Sequence, residues 1–204
     1  MPRLQRFTAI LIALFFVASQ LSAQEKFEAP KLSDPNSWTM ILLPDTQTYV
    51  KFGRNQGILD LMTGWISEQV DSLNIKMVLC TGDLVEQNEM LVSDNVNGNK
   101  PSRDQWLAVS QAFGRLDGKV PYVLAAGNHD FGYKSAENRK SNYDKYFPAH
   151  KNPSNSGLLR ASAKNIDGKP TLENAAFEFV SPRGRKFLFM NLEFAPRDTI
   201  IQWA

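Results

Sequence analysis

The sequence has almost no cysteine: Cys80 is the only one in 204 residues. An internal disulfide is therefore excluded. Cys80 lies in the apolar run "KMVLC", at residues 76–80. We interpret it as a core residue, because a free cysteine packs like a small apolar side chain, and a catalytic thiol is the alternative.

The sequence also lacks a charge excess of either sign. The whole chain carries 23 Lys and Arg against 21 Asp and Glu. Residues 1–23 contain Arg3 and Arg6 and no acid, so the rest of the chain has 21 residues of each sign and is formally neutral. Binding to nucleic acid or to an anionic membrane through bulk charge needs many clustered Lys and Arg. We do not expect either partner.

No apolar run is long enough to predict a membrane-spanning helix. The run "FTAILIALFFVA", at residues 7–18, falls short of the roughly 20 residues required. It follows the basic "MPRLQR" and precedes "SQLSAQ", whose small residues suit cleavage, which is typical of a secretory signal peptide. We predict cleavage after Ala23 and export to the periplasm or the extracellular space, without a stable membrane anchor. A cut after Ser19 and an uncleaved anchor are the alternatives.

The chain does have enough apolar residues, 43%, for a packed core. Short apolar runs predict buried strands, and apolar residues at helical spacing predict amphipathic helices. In chain order these are a strand at 38–44, a helix at 58–74, a strand at 75–83, a helix at 103–119 and a strand at 120–130. This alternation predicts an α/β fold with parallel strands and right-handed crossovers. We assign residues 24–37 to a short amino-terminal segment and residues 38–204 to one domain.

Two polar stretches, at 87–102 and 133–173, are predicted to be long surface loops. Such loops either form the walls of a site or are disordered insertions. The later run "NAAFEFVSPRGRKFLFMNLEF", at 174–194, predicts a β-hairpin around "SPRG". The final "PRDTIIQWA" predicts a helix with one apolar face.

Polar side chains follow all three of the first strands. Asp45 comes after the first strand, Asp83 after the second, and Asn128 and His129 after the third. The carboxyl ends of parallel strands meet at one edge of a sheet, so we expect these side chains to converge. "TGD" or "GNHD" alone is an ordinary turn, but the ordered set favours a site for Mn, Fe, Mg or Zn.

The ordered motifs "PDTQ", "GDLVE" and "GNHD" resemble those of the calcineurin-like metallophosphoesterase superfamily. The first half of the family pattern begins D-x-H and continues with G-D-x-x-D/E and G-N-H-D/E. The resemblance implies an α/β sandwich of two facing mixed sheets flanked by helices. It also implies a centre of two divalent metal ions, Mn, Fe or Zn, that hydrolyses a mono- or diester in a small phosphorylated substrate.

The resemblance assigns a role to each matching position. Asp45 would bind the first ion, Asp83 would bridge both ions, and Asn128 would bind the second. His129 would protonate the leaving group. Glu86 would orient the imidazole of His129 through a charge-assisted hydrogen bond.

The sequence departs from the family pattern at the first motif. Gln47 stands where the family has histidine. An amide oxygen binds zinc or iron less tightly than an imidazole nitrogen does. Gln47 is therefore expected to be a weak ligand or to hold a metal-bound water.

The second departure is the scarcity of histidine. The family has a later histidine and a G-H-x-H motif after the first three motifs, whereas this chain has only His129 and His150 and no G-H-x-H motif. His150 is predicted to be a solvated loop residue. We therefore expect the 204 residues to be the amino-terminal part of a longer protein, with a fold incomplete at its carboxyl end and an incomplete metal site. The alternatives to an enzyme are a domain that binds a phosphorylated or carbohydrate ligand on the same scaffold, and a fragment that does not fold stably.

Overall fold

The computed structural model describes residues 28–204, so the predicted signal peptide lies outside the described residues. All of the helices and strands below belong to one unit, residues 31–204. In the described part of the chain, no helix is both long enough and apolar enough to cross a membrane.

The first sheet is parallel and contains the three predicted strands. They are β1 (Thr39–Leu43), β2 (Ile75–Cys80) and β3 (Tyr122–Leu124), in the order β1-β2-β3. The last residues of the strands are paired, Leu43 with Cys80 and Cys80 with Leu124. The loops that follow the three strands therefore begin side by side at one edge of the sheet.

Two long helices and three short ones accompany the sheets. They are α1 (Gln47–Val50), α2 (Gln56–Gln69), α3 (Ser102–Gly114), α4 (Tyr143–Tyr146) and α5 (Asp198–Trp203). Helices α2 and α3 each end before their predicted boundary. The chain leaves both helices through turns that contain a left-handed residue, Asn74 (φ 46°) and Gly118 (φ 74°). Asparagine and glycine adopt this conformation more easily than other residues.

The second sheet is antiparallel, with the strand order β4-β5-β6. Its strands are β4 (Leu159–Lys164), β5 (Pro170–Val180) and β6 (Lys186–Asn191). The predicted hairpin is confirmed as β5 and β6, joined by a turn in which Ser181 N donates to Arg185 O. The prediction of a loop throughout 133–173 is wrong at α4, at β4 and at the first residues of β5. The sequence of β4, "LRASAK", does alternate apolar and polar residues, but two of its three apolar residues are alanine, which is depleted in strands, and the alternation was overlooked.

The two sheets face each other across one apolar core, as the predicted sandwich requires. Ala175, Phe177 and Phe179 of β5 belong to the same buried cluster as Met77 and Val78 of β2. Asn191 Nδ2 donates to Leu124 O (2.6 Å), which joins β6 to β3. The α/β sandwich implied by the resemblance is confirmed, but in the described residues one sheet is parallel and the other antiparallel, where mixed sheets were expected.

The single cysteine lies in this core. Cys80 is 4% exposed, and burial raises the pKa of its thiol to about 12. A thiol with such a pKa stays protonated and unreactive near neutral pH. The interpretation of Cys80 as a core residue is confirmed.

A carboxyl group is also buried in the second sheet. Glu173 of β5 is 1% exposed and accepts a long hydrogen bond from Asn165 Nδ2 (3.4 Å). Burial, together with the charges of Asp144 and Glu193, raises the pKa of Glu173 from 4.5 to about 7. The folded protein therefore holds a proton on Glu173 at pH values where the unfolded chain has lost it. The stability that Glu173 contributes is complete below about pH 4.5 and is lost as the pH rises through 7.

We expect Glu173→Gln to stabilise the protein at about pH 8 by up to about 3 kcal/mol, because the amide cannot ionise. At about pH 4 the variant and the wild type should unfold at nearly the same temperature. Thermal unfolding followed by circular dichroism at both pH values measures the difference. The control is Glu178→Gln on the same strand, where a partly exposed carboxylate lies 3.6 Å from Arg160. An equal effect of Glu173→Gln at both pH values would contradict the prediction.

Candidate metal centre

The loops after β1, β2 and β3 meet around Asp83. Gln47 N, at the start of α1 after the first loop, donates to Asp83 O (2.9 Å). His129 N, in the third loop, donates to the carboxylate oxygen Oδ1 of Asp83 (3.0 Å). The structure therefore brings together three of the predicted site residues, Gln47, Asp83 and His129, from three separate strands.

Two glycines allow the second and third loops to approach this closely. A Cβ atom on Gly127 would lie 2.5 Å from Asp83 N, and one on Gly82 would lie 2.7 Å from Gly127 N. Gly82 also has a positive φ of 110°, and Asp83 itself is left-handed, with φ 47°. Backbone strain of this kind is concentrated at functional sites. Gly82 of "TGD" and Gly127 of "GNHD" are thus required, because a side chain at either position would collide with the neighbouring loop.

A buried aspartate fixes these two loops to each other. The carboxylate of Asp130 accepts hydrogen bonds from Leu84 N (3.1 Å), Val85 N (3.0 Å) and Gly127 N (2.8 Å). Asp130 is fully buried. Burial raises the pKa of its carboxyl to about 7, although the three N–H donors oppose the shift. Sequence analysis gave Asp130 no role, and its position at the end of "GNHD" was the only signal available.

Hydroxyl groups contact two of the predicted ligands. Thr81 Oγ1 donates to Asp45 Oδ1 (3.2 Å). Asn128 Nδ2 donates to Ser135 Oγ (2.7 Å). Both hydroxyls were missed in the sequence, where Thr81 is only the residue before "GD" and Ser135 lies inside a polar stretch.

The side chain of Gln47 has an acceptor without a donor. Its Oε1 atom is buried and receives no hydrogen bond from any residue in 28–204. A buried acceptor left in this state costs about 1–3 kcal/mol. A cation held by Gln47 would remove this cost, so the orphaned oxygen fits a metal site.

The predicted ligands are two carboxylates, Asp45 and Asp83, and two amides, Gln47 and Asn128. Oxygen donors of this kind suit hard divalent ions such as Mn²⁺ and Mg²⁺. Within residues 28–204, no cluster of three or more His, Cys, Asp and Glu side chains is placed to hold a metal ion. Metal binding at the candidate centre therefore needs the amide oxygens of Gln47 and Asn128 as well as the two carboxylates.

The imidazole of His129 is held by a main-chain atom. Its Nδ1 lies 2.7 Å from Glu86 O. Nδ1–H donates to this carbonyl oxygen, which leaves Nε2 available for proton transfer. The prediction that the Glu86 carboxylate orients the ring is wrong, because that carboxylate forms an ion pair with Lys51 (2.9 Å) instead. The other histidine, His150, is exposed, as predicted.

Comparison with known proteins gives two matches. A family model described as calcineurin-like phosphoesterase matches residues 40–200. The chain is also similar to the uncharacterized protein YvnB of Bacillus subtilis (strain 168), with 26% identity over 197 residues. That match covers 96% of this chain and 13% of YvnB, so the chain spans only a small part of the length of this curated relative.

Proposed function

The chain belongs to the calcineurin-like phosphoesterase family, and from this premise we infer that it is a metal-dependent hydrolase of a phosphate mono- or diester with a dinuclear centre. The metals proposed are Mn, Fe or Zn. The basic and apolar pattern of residues 1–23 supports export to the periplasm or the extracellular space, without a stable membrane anchor. Residues 24–204 are formally neutral. Because binding to nucleic acid rests on many clustered positive charges, this favours a small phosphorylated substrate over nucleic acid.

The observation that carries the proposal is the buried Oε1 of Gln47, which has no donor among the described residues and belongs to a residue whose main-chain N–H donates to Asp83 O. Asp45 and Gln47 would hold the first ion, Asp83 both ions, and Asn128 the second. The bound ions would supply positive charge that activates water and neutralises the phosphate.

The chain supplies the proton for the leaving group through His129. With Nδ1 bonded to Glu86 O, protonated His129 directs Nε2–H away from the main chain as a donor. Transfer of this proton to the departing oxygen avoids the release of a free alkoxide. Glu86 is itself fixed, because its N–H donates to Gln105 Oε1 (2.9 Å) and its carboxylate pairs with Lys51. The ring orientation is thus set before any substrate arrives.

One observation favours a second candidate function. The four proposed ligands cannot fill the shells of two ions, since each divalent ion takes about four to six ligands. Water, substrate or further donors must occupy the remaining positions. A domain of the same fold that binds a phosphorylated or carbohydrate ligand without hydrolysing it is therefore the alternative.

Titration of the metal-free protein with Mn²⁺ and Zn²⁺ in a calorimeter tests the proposal, together with hydrolysis of p-nitrophenyl phosphate and bis-p-nitrophenyl phosphate. We expect metal binding and a slow metal-dependent turnover of at least one ester, slow because the four proposed ligands leave the coordination of two ions incomplete. Asp83→Asn should weaken metal binding at least about tenfold, because loss of a mere outer-shell partner already costs about 10–100-fold and this change removes a charged ligand.

The matched control is Asp60→Asn, which changes an aspartate on α2 that pairs with Arg115 (2.9 Å). It should bind metal like the wild type. Equal binding by Asp83→Asn and the wild type would contradict the proposed centre. Metal binding without turnover of either ester would favour the ligand-binding domain.

A further inference from the structure

Ser135 is the residue that contacts the amide of Asn128. Its Oγ lies 2.7 Å from Asn128 Nδ2, and it comes from the loop that follows the third motif, seven residues further along the chain. We propose that Ser135 is a positioning residue that holds the Asn128 side chain with Oδ1 facing the metal. The proposal rests on the proposed function, because it concerns a ligand of that metal centre.

The chemistry of the amide explains why a partner is needed. An asparagine can bind a cation only through Oδ1, and its Nδ2 carries two N–H donors that the cation repels. Nδ2 must therefore turn away from the metal and find an acceptor. Asn128 is half-buried, so water has limited access to it. Ser135 Oγ accepts one of the two N–H groups in the orientation that metal binding requires.

The loop around Ser135 is built to hold the hydroxyl in place. The carboxylate of Glu137 accepts hydrogen bonds from the N–H groups of Tyr133 (2.9 Å), Lys134 (2.9 Å) and Ser135 (3.0 Å). Gly132 N donates to Lys140 O (2.9 Å) and closes the loop. Because the main chain is fixed on both sides of Ser135, the hydroxyl has a defined position relative to Asn128.

A close approach within the same loop explains its glycine. Gly132 has a positive φ of 76°. A Cβ atom at this position would lie 2.7 Å from Glu137 N. The loop therefore packs closely around the carboxylate of Glu137. These contacts distinguish Ser135 from a serine on a mobile surface loop.

The test is calorimetric titration of the metal-free protein with Mn²⁺ and with Zn²⁺. We expect Ser135→Ala to weaken binding about threefold to tenfold, the value of one hydrogen bond. Ser135→Thr keeps the hydroxyl and should restore binding to within about twofold of the wild type. The control within the loop is Lys134→Ala, since the described residues give the Lys134 side chain no hydrogen bond. It should bind metal normally.

A double-mutant cycle separates positioning from a general effect on the fold. In an Asn128→Ala background no amide remains to be oriented, so Ser135→Ala should change metal affinity by less than about twofold. An equal loss in both backgrounds would overturn the inference, as would wild-type affinity in Ser135→Ala. If Ser135→Ala does not fold, Ser135→Gly takes its place in the same cycle, with the same expected results.

The outcomes for this inference and for the proposed function are distinct. A wild-type protein that binds neither Mn²⁺ nor Zn²⁺ overturns the proposed function, and this inference with it. A wild-type protein that binds metal, beside a Ser135→Ala variant of equal affinity, overturns the role of Ser135 alone.

Discussion

His129→Ala is expected to lower kcat by about 10²–10⁴-fold, the usual contribution of a general acid. The Nδ1 atom of His129 is held 2.7 Å from Glu86 O, and Nε2 remains as the group that can protonate a leaving oxygen. Alanine supplies no proton. Because the proposed role is proton transfer and not metal binding, elemental analysis should find the same metal content in the variant and the wild type.

The size of the effect should depend on the leaving group. p-Nitrophenolate departs with little need for a proton, whereas phenolate and alkoxides need one. The loss caused by His129→Ala should therefore be smaller for p-nitrophenyl phosphate than for phenyl phosphate. The control is His150→Ala, at the exposed second histidine, which should leave kcat unchanged. Loss of bound metal in His129→Ala would show that the imidazole is a ligand instead.

The elements that the sequence predicted are those whose residues carry a local pattern. Strands β1 and β2 are nearly continuous apolar runs, as is usual in a parallel sheet, although Leu42 of β1 is 61% exposed. Strand β4 carries a weaker pattern, an alternation of apolar and polar residues in which two of the three apolar residues are alanine. Because alanine favours strands little, pairing with β5 contributes much of the stability of β4, and this contribution is not visible in its own residues.

The candidate site shows the same division between local and non-local information. Asp45, Asp83 and Asn128 were found because each follows a strand, and parallel strands bring their ends together. Thr81 contacts Asp45 across two loops, Asp130 accepts from main-chain N–H groups of two loops, and Ser135 contacts Asn128 seven residues away. No local sequence pattern records these contacts. For Glu86 the motif identified the residue that holds the His129 ring, but the acceptor is its main-chain oxygen and not its carboxylate. The sequence alone does not show which of the two oxygens of a residue accepts a hydrogen bond.

Asp130→Ala is expected to have the largest effect on stability. It leaves three N–H groups without an acceptor, the buried ones of Leu84 and Val85 and the part-buried one of Gly127. Each such group costs about 1–3 kcal/mol, so we expect a loss of about 3–5 kcal/mol in the free energy of unfolding, within the range for a broken buried network. For a domain of this size the melting temperature should fall by about 10 °C or more.

The same change should also disrupt the metal centre, because Asp130 joins the loop of Asp83 to the loop of Asn128. Asp130→Asn is a second test, since its one carbonyl oxygen can serve fewer of the donors and its NH₂ group faces the others, so a substantial part of the loss should remain. The control is Asp71→Ala, an exposed aspartate in the turn before β2, which should change the melting temperature by less than about 2 °C. Circular dichroism gives the melting temperature, and calorimetric titration with Mn²⁺ gives the metal affinity of each variant that folds. If Asp130→Ala melted within about 2 °C of Asp71→Ala, the carboxylate would not hold the two loops together, and the origin of the site's geometry would have to be sought in the glycines alone.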